Sequence, residues 1–149
     1  MRIEKFLKES PMFSVTFAAR RFDILASRAL QADRLNFLEA LILTTLFFES
    51  PGIVKPSELA SVFGTTRGNI SHSVSSLEAR GLVRRRIDPE DARAYQLGLK
   101  PQGKKVAARV IGVLDELQRA FEREVGKEPL RGALGVIHAL GEIADSRSK

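Results

Sequence analysis

The sequence predicts a mainly α fold with a small β-wing, a winged helix-turn-helix flanked by N- and C-terminal dimerisation helices. Three observations predict it. Two short amphipathic segments meet at Gly64, an alternating two-strand pattern follows them directly, and long apolar helical stripes stand at both ends of the chain.

The first short segment, Pro56 to Phe63, turns Leu59, Ala60, Val62 and Phe63 inward. Pro56 suits a first helical position, because its missing N–H would have no partner there. Gly64 can close that helix in a left-handed turn without a Cβ clash. Thr66 is then an N-cap for a second helix, Arg67 to about Ala79. On this helix Ile70, Val74 and Leu77 recur at i, i+4 and i+7, one apolar stripe. Opposite the stripe lie Gly68, Asn69, His72, Ser75 and Ser76, with Arg67 projecting from the first turn. That face is small, polar and almost free of acid, and its side chains can hydrogen-bond base edges or phosphates. The plain alternative is a serine-rich solvated surface.

The hairpin pattern weighs against the plain alternative. Arg80-Gly81 closes the second helix, and Leu82 to Ile87 and Ala94 to Leu99 read as strands around the turn Asp88-Pro89-Glu90-Asp91. The arms carry Arg84, Arg85 and Arg86, and Arg93 sits near the tip. Such a ribbon can lie along phosphates and push an arginine into a narrow minor groove. The pattern therefore assigns base contacts to Arg67, Asn69, His72 and Ser76. Phosphate contacts fall to Ser71, Ser73, Ser75, Arg84, Arg85, Arg86 and Lys100, with Arg93 in the flanking minor groove.

The runs Ser57-Glu58-Leu59-Ala60, Ser76-Leu77-Glu78-Ala79-Arg80-Gly81-Leu82-Val83-Arg84-Arg85, Asp88-Pro89-Glu90-Asp91-Ala92-Arg93 and Leu99-Lys100-Pro101-Gln102-Gly103 stand in this order. Together they resemble the MarR family of bacterial transcriptional regulators. The resemblance implies a homodimer on pseudo-palindromic double-stranded DNA, usually as a repressor. It also implies that Asp91 orients the wing while Arg93 enters the minor groove. A small aromatic effector between the dimerisation helices and the DNA-binding lobe is a further implication. Phe13, Phe17, Phe22, Phe37, Phe47 and Phe48 are candidates to line its cleft, although aromatic rows at helical spacing are more often core. The chain departs from the family pattern at Lys100, where a capping Thr is usual, and at Ala92, where a second arginine is common.

Charge placement agrees with a polyanionic partner. Of the formal net charge of +6, the span from Lys55 to Lys105 holds ten Lys/Arg against five Asp/Glu, and the rest of the chain is nearly neutral. A membrane surface fits less well, because that span lacks a basic amphipathic helix with bulky apolar anchors. With no cysteine, disulfides, thiolate metal sites and thiol-based sensing are excluded. The two histidines, His72 and His138, have no companion at metal-ligand spacing. His138 reads as a partly buried helix residue. No catalytic constellation or glycine-rich phosphate loop is apparent, so no enzyme and no cofactor is expected. The absence of an apolar signal segment at the start predicts a cytoplasmic protein.

The flanks divide the chain into residues 1–32, a dimerisation region, 33–100, the DNA-binding lobe, and 101–149, the C-terminal dimerisation helices. The first region reads as one long helix, with Pro11 able to reopen it and set residues 1–9 apart as an arm or turn. Asp33 is the expected cap of a helix from Leu35 to Glu49, apolar nearly all round and so enclosed on most sides. That run is about fourteen residues, shorter than the roughly 20 a bilayer span needs. Ile53-Val54 is a candidate third strand. Two more helices, Pro101 to about Glu124 and Leu130 to about Asp145, carry apolar seams too long for a small winged domain to bury, which predicts a second copy of the chain as partner. An alternative is a winged-helix protein-interaction module on an acidic partner, and another is shape-based RNA binding.

Overall fold

The computed structural model describes residues 2–88 and 94–147. Helices α1 (Arg2–Glu9), α2 (Pro11–Ala29), α3 (Phe37–Phe48), α4 (Pro56–Val62) and α5 (Arg67–Ala79) precede strands β1 (Val83–Ile87) and β2 (Tyr95–Leu99). Helices α6 (Pro101–Val125) and α7 (Lys127–Arg147) complete the order, with a 3-10 turn at Gln31–Asp33. The strands are antiparallel, with Val83 opposite Leu99 and Ile87 opposite Tyr95. The chain forms two compact units, one of residues 1–26 and 115–149, the other of residues 27–114.

The 27–114 unit holds the core. Ile42, Leu43, Leu59, Ile70, Leu77, Val83 and Val110 are fully buried there. Burial of that many large aliphatic side chains, at roughly 1.5–3 kcal/mol each, is what holds the short elements together. Glycine turns connect them. Gly64 takes φ 57°, and the Thr65 amide donates to the Ala60 carbonyl across it at 3.0 Å. Gly81 takes φ 69°, and the Leu82 amide reaches the Leu77 carbonyl at 2.9 Å. Both are left-handed helix ends that satisfy otherwise orphaned carbonyls.

Several expectations shift. The N-terminal region divides at Pro11, the break the sequence allowed, and residues 2–9 form about two turns of their own helix rather than an arm or turn. Asp33 does not cap α3. Asn36 does, with its side chain accepting the Glu39 amide at 2.8 Å while the Glu39 carboxylate accepts the Asn36 amide at 3.0 Å. That reciprocal pair is a capping box, and it displaces the expected start by two residues. Helix α3 is enclosed along its length except at its last turn, where Phe48 is 67% exposed. Val62 is 76% exposed, because only Leu59 and Ala60 of α4 reach the core and Phe63 is half-buried. The third strand reduces to a single bridge, in which the Leu97 amide donates to the Val54 carbonyl at 2.9 Å.

In the other unit apolar side chains remain uncovered. Ile3, Phe6, Met12, Val15, Phe17, Phe22, Ile24, Leu25, Val125, Leu134, Val136, Ile137 and Ile143 are all exposed in the protomer. Phe22 and Phe121 meet edge to face at 5.1 Å. Helix α7 is exposed nearly throughout, so His138 lies at the surface and not beside a core.

Candidate nucleic-acid interface

Helix α5 begins where the Thr66 side chain accepts the Asn69 amide at 3.1 Å, the expected N-cap. Asn69 is held a second time, its Nδ2 donating to Thr65 Oγ1 at 3.1 Å. Arg67, Gly68, Asn69, Ser71, His72 and Ser75 are exposed on one continuous side. Ile70, Ser73, Val74 and Leu77 face the core. Ser73 is therefore a correction to the phosphate-contact set, since it is 4% exposed. At 100° per residue it lies about 60° from Ile70, just past Leu77 at the edge of the buried stripe, and the small hydroxyl is tolerated there.

Ser76 is a second revision. It is half-buried, and its hydroxyl donates to Glu39 Oε1 at 2.6 Å instead of pointing outward. Glu39 itself is 6% exposed.

The three wing arginines separate by strand alternation. Val83, Arg85, Leu97 and Leu99 share the inner face of the hairpin, while Arg84 and Arg86 take the outer face and are exposed. Arg85 lies across α5. Its Nη2 donates to Ser75 Oγ at 2.7 Å and to the Ser71 carbonyl at 3.3 Å, and its Nε stands 3.6 Å from Glu78 Oε2. The Arg85 amide also donates to Glu78 Oε1 at 3.2 Å. Arg85 thus ties wing to helix, and Arg84 and Arg86 are the arm cations left facing outward. Lys100 is half-buried at the joint, where its amide donates to the Leu82 carbonyl at 2.9 Å. Asp91 and Arg93 lie outside the described residues.

The turn end of the wing is pinned by a pair that the sequence pattern did not single out. Lys55 Nζ lies 2.7 Å from Asp88 Oδ2, and the Asp88 carboxylate is almost wholly enclosed. The Asp88 amide closes the hairpin on the Ala94 carbonyl at 3.0 Å. Also unanticipated is the role of Arg80, whose Nη1 and Nη2 donate to the Arg34 and Asp33 carbonyls at 2.9 and 2.6 Å. Asp33 pairs with Arg109 of α6. That hydrogen bond, and then the carboxylate charge, raise the Arg109 pKa above its ordinary value. The signal for Glu39 was present as Asn36-x-x-Glu39, a capping-box spacing.

Among the described residues no group of three or more His, Asp or Glu is arranged to hold a metal ion. No helix among them is long and apolar enough to cross a membrane. Of the candidate cleft phenylalanines, Phe17 and Phe22 line a groove of about 680 Å³ with Leu7, Ala18 and Arg21. Phe13 meets Phe6 at a tilt, with ring centroids 5.8 Å apart. Phe37 packs on the core of its own unit, residues 27–114, and Phe47 and Phe48 meet edge to face at 6.0 Å.

Two helices about a glycine turn, a polar outer face on the second and an arginine-bearing hairpin beside it define a winged helix-turn-helix protein. Residues 35–94 match the sequence profile of the MarR family. The chain is 34% identical over 86 residues to the HTH-type transcriptional regulator PrsX of Escherichia coli, covering 58% of this chain and 52% of that protein. The chain thus spans about half the length of the curated relatives it matches. Among solved structures it resembles the transcriptional regulator BldR of Sulfolobus solfataricus, with a TM-score of 0.75, 26% identity and coverage of 93% and 98% of the two chains. It also shares its fold with the transcriptional repressor CouR bound to a 23-mer DNA duplex, with a TM-score of 0.80, 20% identity and coverage of 91% and 94%.

Proposed function

We propose that this chain is a transcriptional regulator that binds pseudo-palindromic double-stranded DNA as a homodimer and acts as a repressor. The observation that carries this reading is the α5 surface. Arg67, Asn69, Ser71, His72 and Ser75 are exposed together with no acid among them, and Arg84 and Arg86 stand outward on the adjoining hairpin. Arg67, Asn69 and His72 read base edges in the major groove, where Arg and Asn make bidentate pairs. Ser71, Ser75, Arg84, Arg86 and Lys100 hold phosphates, Asp91 orients the wing and Arg93 enters the minor groove. Occupying two successive grooves requires two copies, with recognition helices roughly 34–36 Å apart. The uncovered apolar side chains of the 1–26 and 115–149 unit support that second copy. The transcriptional repressor MprA of Escherichia coli, 29% identical over 85 residues, supports repression as the direction of control.

The chemistry is positioning, not catalysis, and the chain is not an enzyme. A small aromatic effector would shift the spacing of the two reading heads, and the Phe17–Phe22 groove is the place to look for it. The test is selection of duplexes by the purified chain from a random library, followed by anisotropy titrations on the selected and scrambled sequences. Enrichment of an inverted repeat is expected. A chain that enriches no duplex and does not bind DNA in dilute salt overturns the reading and leaves the protein-interaction module in its place.

A further inference from the structure

A capping box needs only one acceptor atom from the residue at its third helical position, and Gln serves as well as Glu. Here the carboxylate of Glu39 uses both oxygens. Oε2 accepts the Asn36 amide at 3.0 Å, and Oε1 accepts the Ser76 hydroxyl at 2.6 Å, from a residue 37 positions away. Two acceptor atoms on one side chain favour Glu over Gln at this position, since the amide of Gln offers a single acceptor oxygen. A carboxylate 6% exposed is costly to keep unless it is paired. Its further partner is Arg80, whose Nη1 lies 4.0 Å from Oε2 while the guanidinium grips the Asp33 and Arg34 carbonyls. Ser76 and Arg80, the residue that caps the end of α5, are four residues apart, so the last turn of that helix is held at two points, against Glu39 of α3 and against the α2–α3 connection.

We propose that Glu39 is a positioning residue for sequence reading, setting the rotation of α5 through Ser76 and Arg80. This rests on the DNA-binding function proposed above. Glu39 is buried and touches no nucleic acid. It acts by holding the azimuth at which Asn69, His72 and Ser75 leave the helix, because hydrogen bonds to base edges weaken steeply with misalignment. Phosphate contacts made by long flexible arginines tolerate a small rotation, so the clamp bears on selectivity more than on overall attraction.

The experiment is a double-mutant cycle on the full chain, using Glu39→Ala, Ser76→Ala and the pair. The readout is the ratio of affinities for the selected and scrambled duplexes, with circular dichroism confirming the folded state. Each single substitution is expected to lower that ratio about tenfold, the size of one charge-assisted hydrogen bond. The double variant is expected to be no worse than the poorer single, because both remove the same link. Ser76→Ala leaves the Asn36–Glu39 capping box whole, so it stays informative if Glu39→Ala folds poorly, and Ser76→Thr should restore the ratio. Losses that multiply to about a hundredfold in the double variant would make Ser76 an independent base reader and overturn the proposal. Unchanged ratios would overturn it while leaving DNA binding intact. A wild-type chain with no preference between the duplexes removes the function and the clamp together.

Discussion

The same substitution placed at two glycines of α6 should have opposite signs. A Cβ built at Gly103 falls well inside van der Waals contact with the Leu82 carbonyl oxygen and 2.8 Å from the carbonyl carbon. Both are backbone atoms, so no side chain can swing aside. The Leu82 carbonyl also accepts the Lys100 amide at 2.9 Å, and that bond anchors the start of α6 to the end of the helix-turn-helix. Gly103→Ala must push α6 away from this carbonyl. Overpacking costs about 1–3 kcal/mol and a weakened hydrogen bond about 1 kcal/mol more. The better helix propensity of Ala returns only about 0.5–1 kcal/mol. The net is a loss of about 1–3.5 kcal/mol, or about 2–14 °C in Tm for a chain of this size. A Cβ at Gly112 meets nothing within 4 Å, so Gly112→Ala should keep the propensity gain and stabilise by about 0.5–1 kcal/mol. Urea denaturation followed by circular dichroism, at one fixed protein concentration, measures both. A Gly103→Ala protein as stable as its parent, or a Gly112→Ala protein equally damaged, would refute the close approach at Leu82.

Three further outcomes follow from the interface. Arg86→Ala removes one outward-facing cation per protomer, so a dimer should show a slope of log affinity against log salt smaller by about 2; an unchanged slope in anisotropy titrations argues that Arg86 meets no phosphate. Thr66→Ala deletes the cap that receives the Asn69 amide and should cost about 1 kcal/mol in denaturant, with a loss of preference for the selected duplex as Asn69 loses its anchor. Ile137→Glu introduces charge on an apolar residue exposed in the protomer; sedimentation should shift from dimer to monomer with helicity retained, and a wild-type chain that already sediments as a monomer contradicts the homodimer.

What the sequence made legible was local. Thr66 capping Asn69, Gly64 ending α4 and the Ile70–Val74–Leu77 stripe each involve residues within about one helical turn, where periodicity and capping chemistry are strong signals. The hairpin was legible for the same reason, its turn residues lying between two alternating runs. The cap of α3 was a local competition decided by a rival, since Asn36 offered a full capping box against Asp33, whereas the break at Pro11 was legible from the proline itself. Val62 sat at helical spacing but on a helix too short to bury more than one side. Ser73 and Ser76 were indistinguishable from Ser71 and Ser75 by residue type. By the helix period Ser73 lies about 60° and Ser76 about 120° from Ile70, against about 100° and 140° for Ser71 and Ser75, and which of those intermediate angles is covered depends on the elements packed alongside.

The parts that position the reading head lie beyond that reach. Ser76 meets Glu39 across 37 residues, Arg80 meets Asp33 across 47, and Arg109 meets Asp33 across 76. No periodicity encodes such pairs, and each residue has an ordinary surface explanation when met alone. The contrast has a physical basis. Elements form from neighbours, whereas the angle between elements is set by a few long-range polar contacts formed only once the core has closed. Arg85 shows how composition can then mislead. Three consecutive arginines look like one phosphate-binding run, but a strand sends alternate side chains to opposite faces, and the middle one is drawn to Glu78 and Ser75 on α5. Its charge is spent on orientation, so an Arg85→Ala chain should lose selectivity between duplexes more than it loses salt dependence.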